Sequence, residues 1–166
     1  MIQPATPSLP LPIALVTGAG DRIGAAIARA LAGAGHAVII HYRSDAEGAA
    51  QVRDAITAAG GTAAIAQADL ADRTQRAGLI AQAARHFGPL TALVNNASVF
   101  DPDSAFDLDE ALWDRHFAIH AEAPIFLARD FAAQLPADAR GNIVNIIDER
   151  VLHPAPAYFS YTLSKA

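Results

Sequence analysis

Residues 13–24 read Ile-Ala-Leu-Val-Thr-Gly-Ala-Gly-Asp-Arg-Ile-Gly, with glycines at Gly18, Gly20 and Gly24. The first four are aliphatic, and from Arg22 onward the chain turns alanine-rich with apolar residues at helical spacing. A short buried strand therefore runs through a glycine turn into a helix over 22–34, the opening half of a βαβ unit. Glycine at such a turn lets backbone approach an anionic group, such as a pyrophosphate, on the helix N-terminus. The spacing is one residue longer than G-x-G-x-x-G, so a tight turn without a ligand is the competing reading.

The same alternation continues along the chain. It predicts strands over 13–17, 37–42, 62–68, 90–95 and 141–147, separated by helices over 22–34, 45–59, 72–87 and 110–135, with a last helix barely begun. Gly60-Gly61 stops the second helix and Gly88-Pro89 closes the third. An acidic loop over 101–109 caps the long helix that follows. Right-handed crossovers assemble such units into an α/β fold, a Rossmann-type doubly wound parallel sheet. Its ligand crevice lies at the carboxyl ends of the strands, where strand order reverses.

Composition limits the partners. With 52% hydrophobic and 17% charged residues, the 166-residue chain can bury a core, and one domain over 13–166 is expected. Net charge is −5 and the 12 Lys and Arg are scattered, which predicts neither nucleic-acid nor membrane binding and leaves a small-molecule partner. The four prolines within residues 1–12 predict a disordered tail rather than a signal peptide, and no apolar run approaches the ~20 residues of a membrane span. The absence of cysteine removes disulfides and thiolate chemistry and is compatible with a cytoplasmic location.

Two further groupings carry chemistry. After the second strand, Arg43 presents a bidentate donor fork and Ser44 a hydroxyl, a pair suited to the 2′-phosphate of NADPH. Asp45 is the rival: turned towards a ribose it would favour NAD, whereas as a helix cap it has a structural task. Tyr161 and Lys165 lie four residues apart, hence on one helical face, where a cation brings a phenol into range for acid–base work.

Together these features resemble the short-chain dehydrogenase/reductases, whose T-G-x-x-x-G-x-G and Y-x-x-x-K elements are matched by Thr17, Gly18, Gly24, Tyr161 and Lys165. The resemblance places Gly18, Gly20, Arg22, Ile23, Gly24, Tyr42, Arg43 and Ser44 among the cofactor-binding residues. It puts Asp69, with Leu70, beside the adenine, and Asn95-Asn96-Ala97 near the adenosine and the central sheet. Asp69 is otherwise another helix cap.

Three departures resemble the pteridine reductase branch. Arg22 replaces the middle glycine, to reach phosphates and substrate, Ser98 stands in Asn-Asn-Ala-Ser, and Asp148 takes the place of the usual serine, 13 residues before Tyr161. Phe100 is then expected to stack on a pterin, a flat heteroaromatic that needs an apolar face, or else to be plain core. Tyr161 is expected to donate a proton, Lys165 to activate it, and Asp148 to relay a proton to a ring nitrogen. The competing readings are a solvated Arg22 and an Asp148 that merely pairs with Arg150.

The resemblance implies a reductase of a pterin or dihydropterin, with a generic carbonyl reductase or a nucleotide-binding fragment without turnover as alternatives. His120 stands where the family has an asparagine that helps carry protons to the lysine. His116 and His120 are spaced i, i+4, yet no third ligand completes a metal site. The family continues well past a Y-x-x-x-K helix, so the C-terminal part of the fold is expected to be absent here, and a homodimer or homotetramer is expected at full length.

Overall fold

A computed structural model describes residues 11–166. Five strands, β1 (Ile13–Val16), β2 (Ala37–Tyr42), β3 (Thr62–Gln67), β4 (Ala92–Asn95) and β5 (Asn142–Asn145), form one sheet in the order β3-β2-β1-β4-β5. Every pairing is parallel. The connections are helical: α1 (Arg22–Gly33), α2 (Ala46–Ala58), α3 (Arg73–Phe87), α4 (Glu110–Phe117) and α5 (Ala123–Gln134), with α6 (Phe159–Lys165) after β5. The expected doubly wound α/β class is the observed one. Of the expected tail, residues 1–10 lie outside the described residues, while Pro12 already accepts the Ala37 N–H at 2.9 Å.

Alternation along the buried strands sorts the core into two layers. Ile13, Leu15 and Ile39 pack with Leu79, Ile80, Leu127 and Phe131 from α3 and α5. Val16, Val38 and Ile40 pack on the other face with Ala25 and Ala28 of α1 and Val52 and Ile56 of α2. At the far edge β5 leaves Ile143 and Val144 exposed. Chain order reverses between β1 and β4, so the crevice expected from topology opens beyond Val16 and Asn95.

Two expectations need correction. The helix anticipated over 110–135 is interrupted by a π turn at Ala118–Glu122, where the Ala123 N–H reaches back five residues to the Ala118 carbonyl. Pro124 supplies the reason, since it has no N–H to give the His120 carbonyl four residues earlier. The strand anticipated from 90 begins at Ala92, because Leu90 is bonded on both its N–H and its carbonyl by the Gln134 side chain.

Candidate functional site

The turn after β1 is tied to the loop after β4. Thr17 Oγ1 accepts the N–H groups of Asn96 and Ala97 at 2.9 and 3.0 Å, and Asn96 Nδ2 donates to the carbonyls of Thr17 and Gly18 at 2.9 and 3.0 Å. Gly18 has φ +60°, and a Cβ there would lie 2.9 Å from Ala97 Cα. A Cβ on Gly24 would overlap the Gly18 carbonyl and come within 2.6 Å of Asn96 Nδ2. Arg22, standing where the resembled family has glycine, takes glycine's left-handed backbone at φ +45°, and its side chain is exposed. Ile23 beside it is also exposed. Asp21 makes no side-chain cap, and among the described residues no side chain bonds the first N–H groups of α1.

Beneath the turn lies His41, fully enclosed at the end of β2. Its Nδ1 accepts the Gly18 N–H at 3.1 Å, which places the proton of the neutral ring on Nε2, donating to the Ala68 carbonyl at 3.0 Å. Burial pushes its pKa down to about 4. Farther along, Tyr42 is half-buried while Arg43 and Ser44 are exposed. Asp45 accepts the Gly48 N–H at 2.9 Å and caps α2, so its carboxylate serves the helix. The cap of α3 is Asp72; Asp69 instead accepts the Ala71 N–H at 3.0 Å. Leu70 packs in the core and its carbonyl accepts from Arg76. Asn95 crosses from β4 to β5, donating to Asn145 Oδ1 at 2.7 Å.

Tyr161, Lys165 and Asp148 meet beyond β4 and β5. Tyr161 is buried on α6 and its hydroxyl donates to Asp148 Oδ2 at 2.7 Å. The other oxygen of Asp148 accepts the Arg150 N–H at 2.9 Å, which with the phenol bond holds this carboxyl below its ordinary pKa. Burial, then the Asp148 bond and charge, pushes the Tyr161 phenol up to about 12. Lys165 Nζ donates to the Ile146 carbonyl at 2.9 Å, and burial lowers its pKa. In this arrangement the partner of the phenol is Asp148. Asp103 anchors the start of α6, accepting the Ser160 N–H at 3.1 Å.

Aromatic rings flank the phenol. Phe100 meets Tyr161 edge-on at 4.7 Å and stacks on Tyr158 at 4.0 Å, with the Arg150 guanidinium 4.8 Å from the Tyr158 ring. Phe100 is thus half exposed beside the phenol rather than core, and Tyr158 already covers part of it. Ser98 is exposed and its hydroxyl lies 3.0 Å from His120 Nε2. A cavity of about 290 Å³ is lined by Thr17, Asn95, His120, Asn145, Ser164 and Lys165 among others. Among the described residues no group of three metal-ligating side chains occurs, and both nitrogens of His120 are engaged by protein groups.

A glycine turn, a parallel sheet with this strand order and a Tyr-x-x-x-Lys helix at its carboxyl end are on one chain, and a short chain dehydrogenase model matches residues 12–166. The chain belongs to the short-chain dehydrogenase family. It is 40% identical to an uncharacterized oxidoreductase of Methylorubrum extorquens, across 90% of this chain and 60% of that one. It is 38% identical to a short-chain type dehydrogenase/reductase of Picea abies, across 93% of this chain and 60% of the other. Among solved structures, FolM alternative dihydrofolate reductase 1 of Brucella suis, in complex with NADP, superposes with a TM-score of 0.88 at 46% identity. That match covers 93% of this chain and 64% of that one. An angucycline C-6 ketoreductase with bound NADP superposes at 0.85 and 32% identity, covering 93% and 62%. The chain thus spans about three-fifths of the length of these family members.

Of the expected site residues, the structure brings together Asn96 with Gly18, and Asp148 with Tyr161. Sequence reasoning missed His41, Asp103, Tyr158 and Ser164. Tyr158 had a local signal, lying three residues before Tyr161 and so on the same side of a helical turn. The other three act through partners far away in sequence.

Proposed function

We propose that the protein is an NADPH-dependent reductase of the short-chain family whose substrate is a pterin or dihydropterin. The observation that carries this reading is the 2.7 Å bond from the Tyr161 hydroxyl to Asp148, made beside the exposed ring of Phe100. A carboxylate in that place suits a substrate whose ring nitrogen must gain a proton, and an aromatic face suits a flat heterocycle. The likeness to FolM of Brucella suis lends support, while the ketoreductase neighbour keeps a carbonyl substrate as the second reading.

The residues present fit a dinucleotide. The absent Cβ atoms of Gly18 and Gly24 leave the backbone turn against the N-terminus of α1, and Arg22 is exposed on its first turn. Arg43 and Ser44 are exposed at the end of β2 while Asp45 is occupied as a cap, an arrangement that favours the 2′-phosphate. When bound, the nicotinamide supplies the hydride.

The chain's own part is to hold the substrate and deliver the proton. Phe100 and Tyr158 offer an aromatic wall. Tyr161, its pKa raised to about 12, keeps its proton through neutral pH and gives it to the substrate nitrogen as hydride reaches the adjacent carbon. The C=N bond is thereby reduced by one hydride and one proton. The phenolate left on Tyr161 is stabilised by the nearby ammonium of Lys165, and the ionised Asp148 carboxylate takes up a proton from solvent and passes it to the phenolate.

Purified protein mixed with NADPH and dihydrobiopterin tests this directly. Consumption of NADPH with appearance of the reduced pterin is expected. Activity on simple ketones with none on any pterin would leave a carbonyl reductase, and NADPH binding without turnover on either would leave a nucleotide-binding module.

A further inference from the structure

His120 stands on the π turn between α4 and α5, and its ring touches two other segments of the site. Nε2 accepts the Val99 N–H at 3.2 Å and lies 3.0 Å from Ser98 Oγ, in the loop that carries Phe100. Nδ1 lies 2.8 Å from Ser164 Oγ, and Ser164 in turn bonds the Tyr161 carbonyl at 2.8 Å, within the helix that carries Tyr161 and Lys165. The ring also meets the Tyr161 ring edge-on at 5.2 Å.

We infer that His120 is a positioning residue: an imidazole with its proton on Nδ1 that locks the substrate-side loop, through Val99 and Ser98, to the helix holding Tyr161 and Lys165. The direction of each bond follows from one fixed donor. A backbone N–H can only donate, so Nε2 is bare and the ring's single proton sits on Nδ1. Ser164 must then accept from the ring and donate onward to the Tyr161 carbonyl. The order runs Val99 N–H to Nε2, Nδ1–H to Ser164, Ser164 O–H to Tyr161, and no link in it can be reversed.

The groups facing the ring oppose its charging. Burial is the largest effect, followed by the ammonium of Lys165 on α6 and then His116 on α4, and together they push the His120 pKa down to about 3. Tyr161 faces it as a neutral phenol. The π turn is what aims the ring: the turn carries one more residue than an α-helix, so restoring regular helix would rotate every side chain on one side of it by about 100° relative to the other. His120 therefore does more than fill the position of the asparagine that the family resemblance leads one to expect. It joins two segments and carries no proton between them.

The structural part of this inference needs no turnover, and the kinetic part rests on the reductase reading. Nitrogen-15 correlation spectra of the histidine rings in ligand-free protein, with the His120 signal assigned by its loss in His120→Gln, read the tautomer directly. The Nδ1-protonated form, unchanged from about pH 8 to about pH 5, is expected. An Nε2-protonated ring, or titration near the ordinary histidine value, overturns the inference. In kinetics, His120→Leu keeps apolar bulk but loses both bonds, and is expected to lower kcat/KM for the pterin by about tenfold or more while NADPH affinity stays within about twofold. His120→Gln, whose amide offers one acceptor and one donor, is expected to recover most of that loss. A leucine variant as active as wild type, or a glutamine variant no better than leucine, overturns the inference. Should wild type turn over no substrate at all, the reductase reading fails and the tautomer result still decides the role of His120.

Discussion

Alanine substituted for Gly24 should act on the architecture that makes the site. The new methyl would overlap the Gly18 carbonyl and lie 2.6 Å from Asn96 Nδ2 and 2.8 Å from Ala19 Cα. Two of the three neighbours are backbone of the turn itself, and Asn96 is held by bonds to Thr17 and Gly18, so none can yield cheaply. Overpacking of this kind costs about 1–3 kcal/mol, and the upper half of that range is expected here. The control is Gly78→Ala in the middle of α3, where a Cβ meets nothing within 4 Å. There the same change removes backbone freedom from the unfolded chain and should stabilise by about 0.5–1 kcal/mol. Urea unfolding followed by circular dichroism should show the Gly24 variant with a midpoint lower by about 1 M and the Gly78 variant with a midpoint slightly raised. A Gly24→Ala midpoint at or above that of wild type would refute the claim that α1 closes directly on the first turn.

Three other outcomes follow from the site. Asp148→Asn should lower activity by about 10²-fold or more, leave NADPH titration unchanged, and bring the Tyr161 phenol down from about 12. Because the Asp148 bond and charge both raise the phenol, spectrophotometric titration should show it titrating lower in the variant than in wild type, and an unchanged phenol would remove the carboxylate as a cause. Arg43→Ala should weaken NADPH by about tenfold while leaving NADH nearly unaffected in fluorescence titrations, and equal losses for both would remove Arg43 from the 2′-phosphate. His41 predicts a pH dependence of stability. Its folded pKa of about 4 lies below the unfolded 6.5, so below pH 6.5 the unfolded chain takes up a proton that the folded chain refuses. Stability from this source is complete above about pH 6.5 and falls by roughly 3 kcal/mol as pH drops to about 4. Unfolding free energies of His41→Gln across that window should fall less steeply than those of wild type; equal slopes would contradict the buried neutral ring.

What was legible beforehand was local. Strands β1, β2 and β3 follow from aliphatic runs bounded by glycine or by polar residues, and the structure places them within a residue of their expected bounds. Asp45 as a cap follows from its place one residue before a helix, where its carboxylate reaches Gly48. Tyr161 and Lys165 share a face because helical spacing requires it. The rest depended on distant partners. That Lys165 bonds the Ile146 carbonyl, and that Tyr161 bonds Asp148, depends on how α6 returns beside β5, which spacing alone does not reveal. His41 looks like one more strand residue until Gly18 and Ala68 are brought to either side of it. The π turn had a sign in Pro124, but a proline near a helix start is equally well tolerated, so the break became clear only from the Ala118 to Ala123 bond.

The most direct test of the account is to follow the hydride. Protein is incubated with NADPH carrying deuterium at both C4 positions and with a dihydropterin, and the product is weighed by mass spectrometry. A reduced pterin heavier by one deuterium is predicted, with none gained when the label is placed in the solvent and the product is exchanged back into ordinary water. NADPH oxidised while the pterin stays unreduced, or a reduced pterin without the label, would contradict hydride delivery in the crevice beside Tyr161.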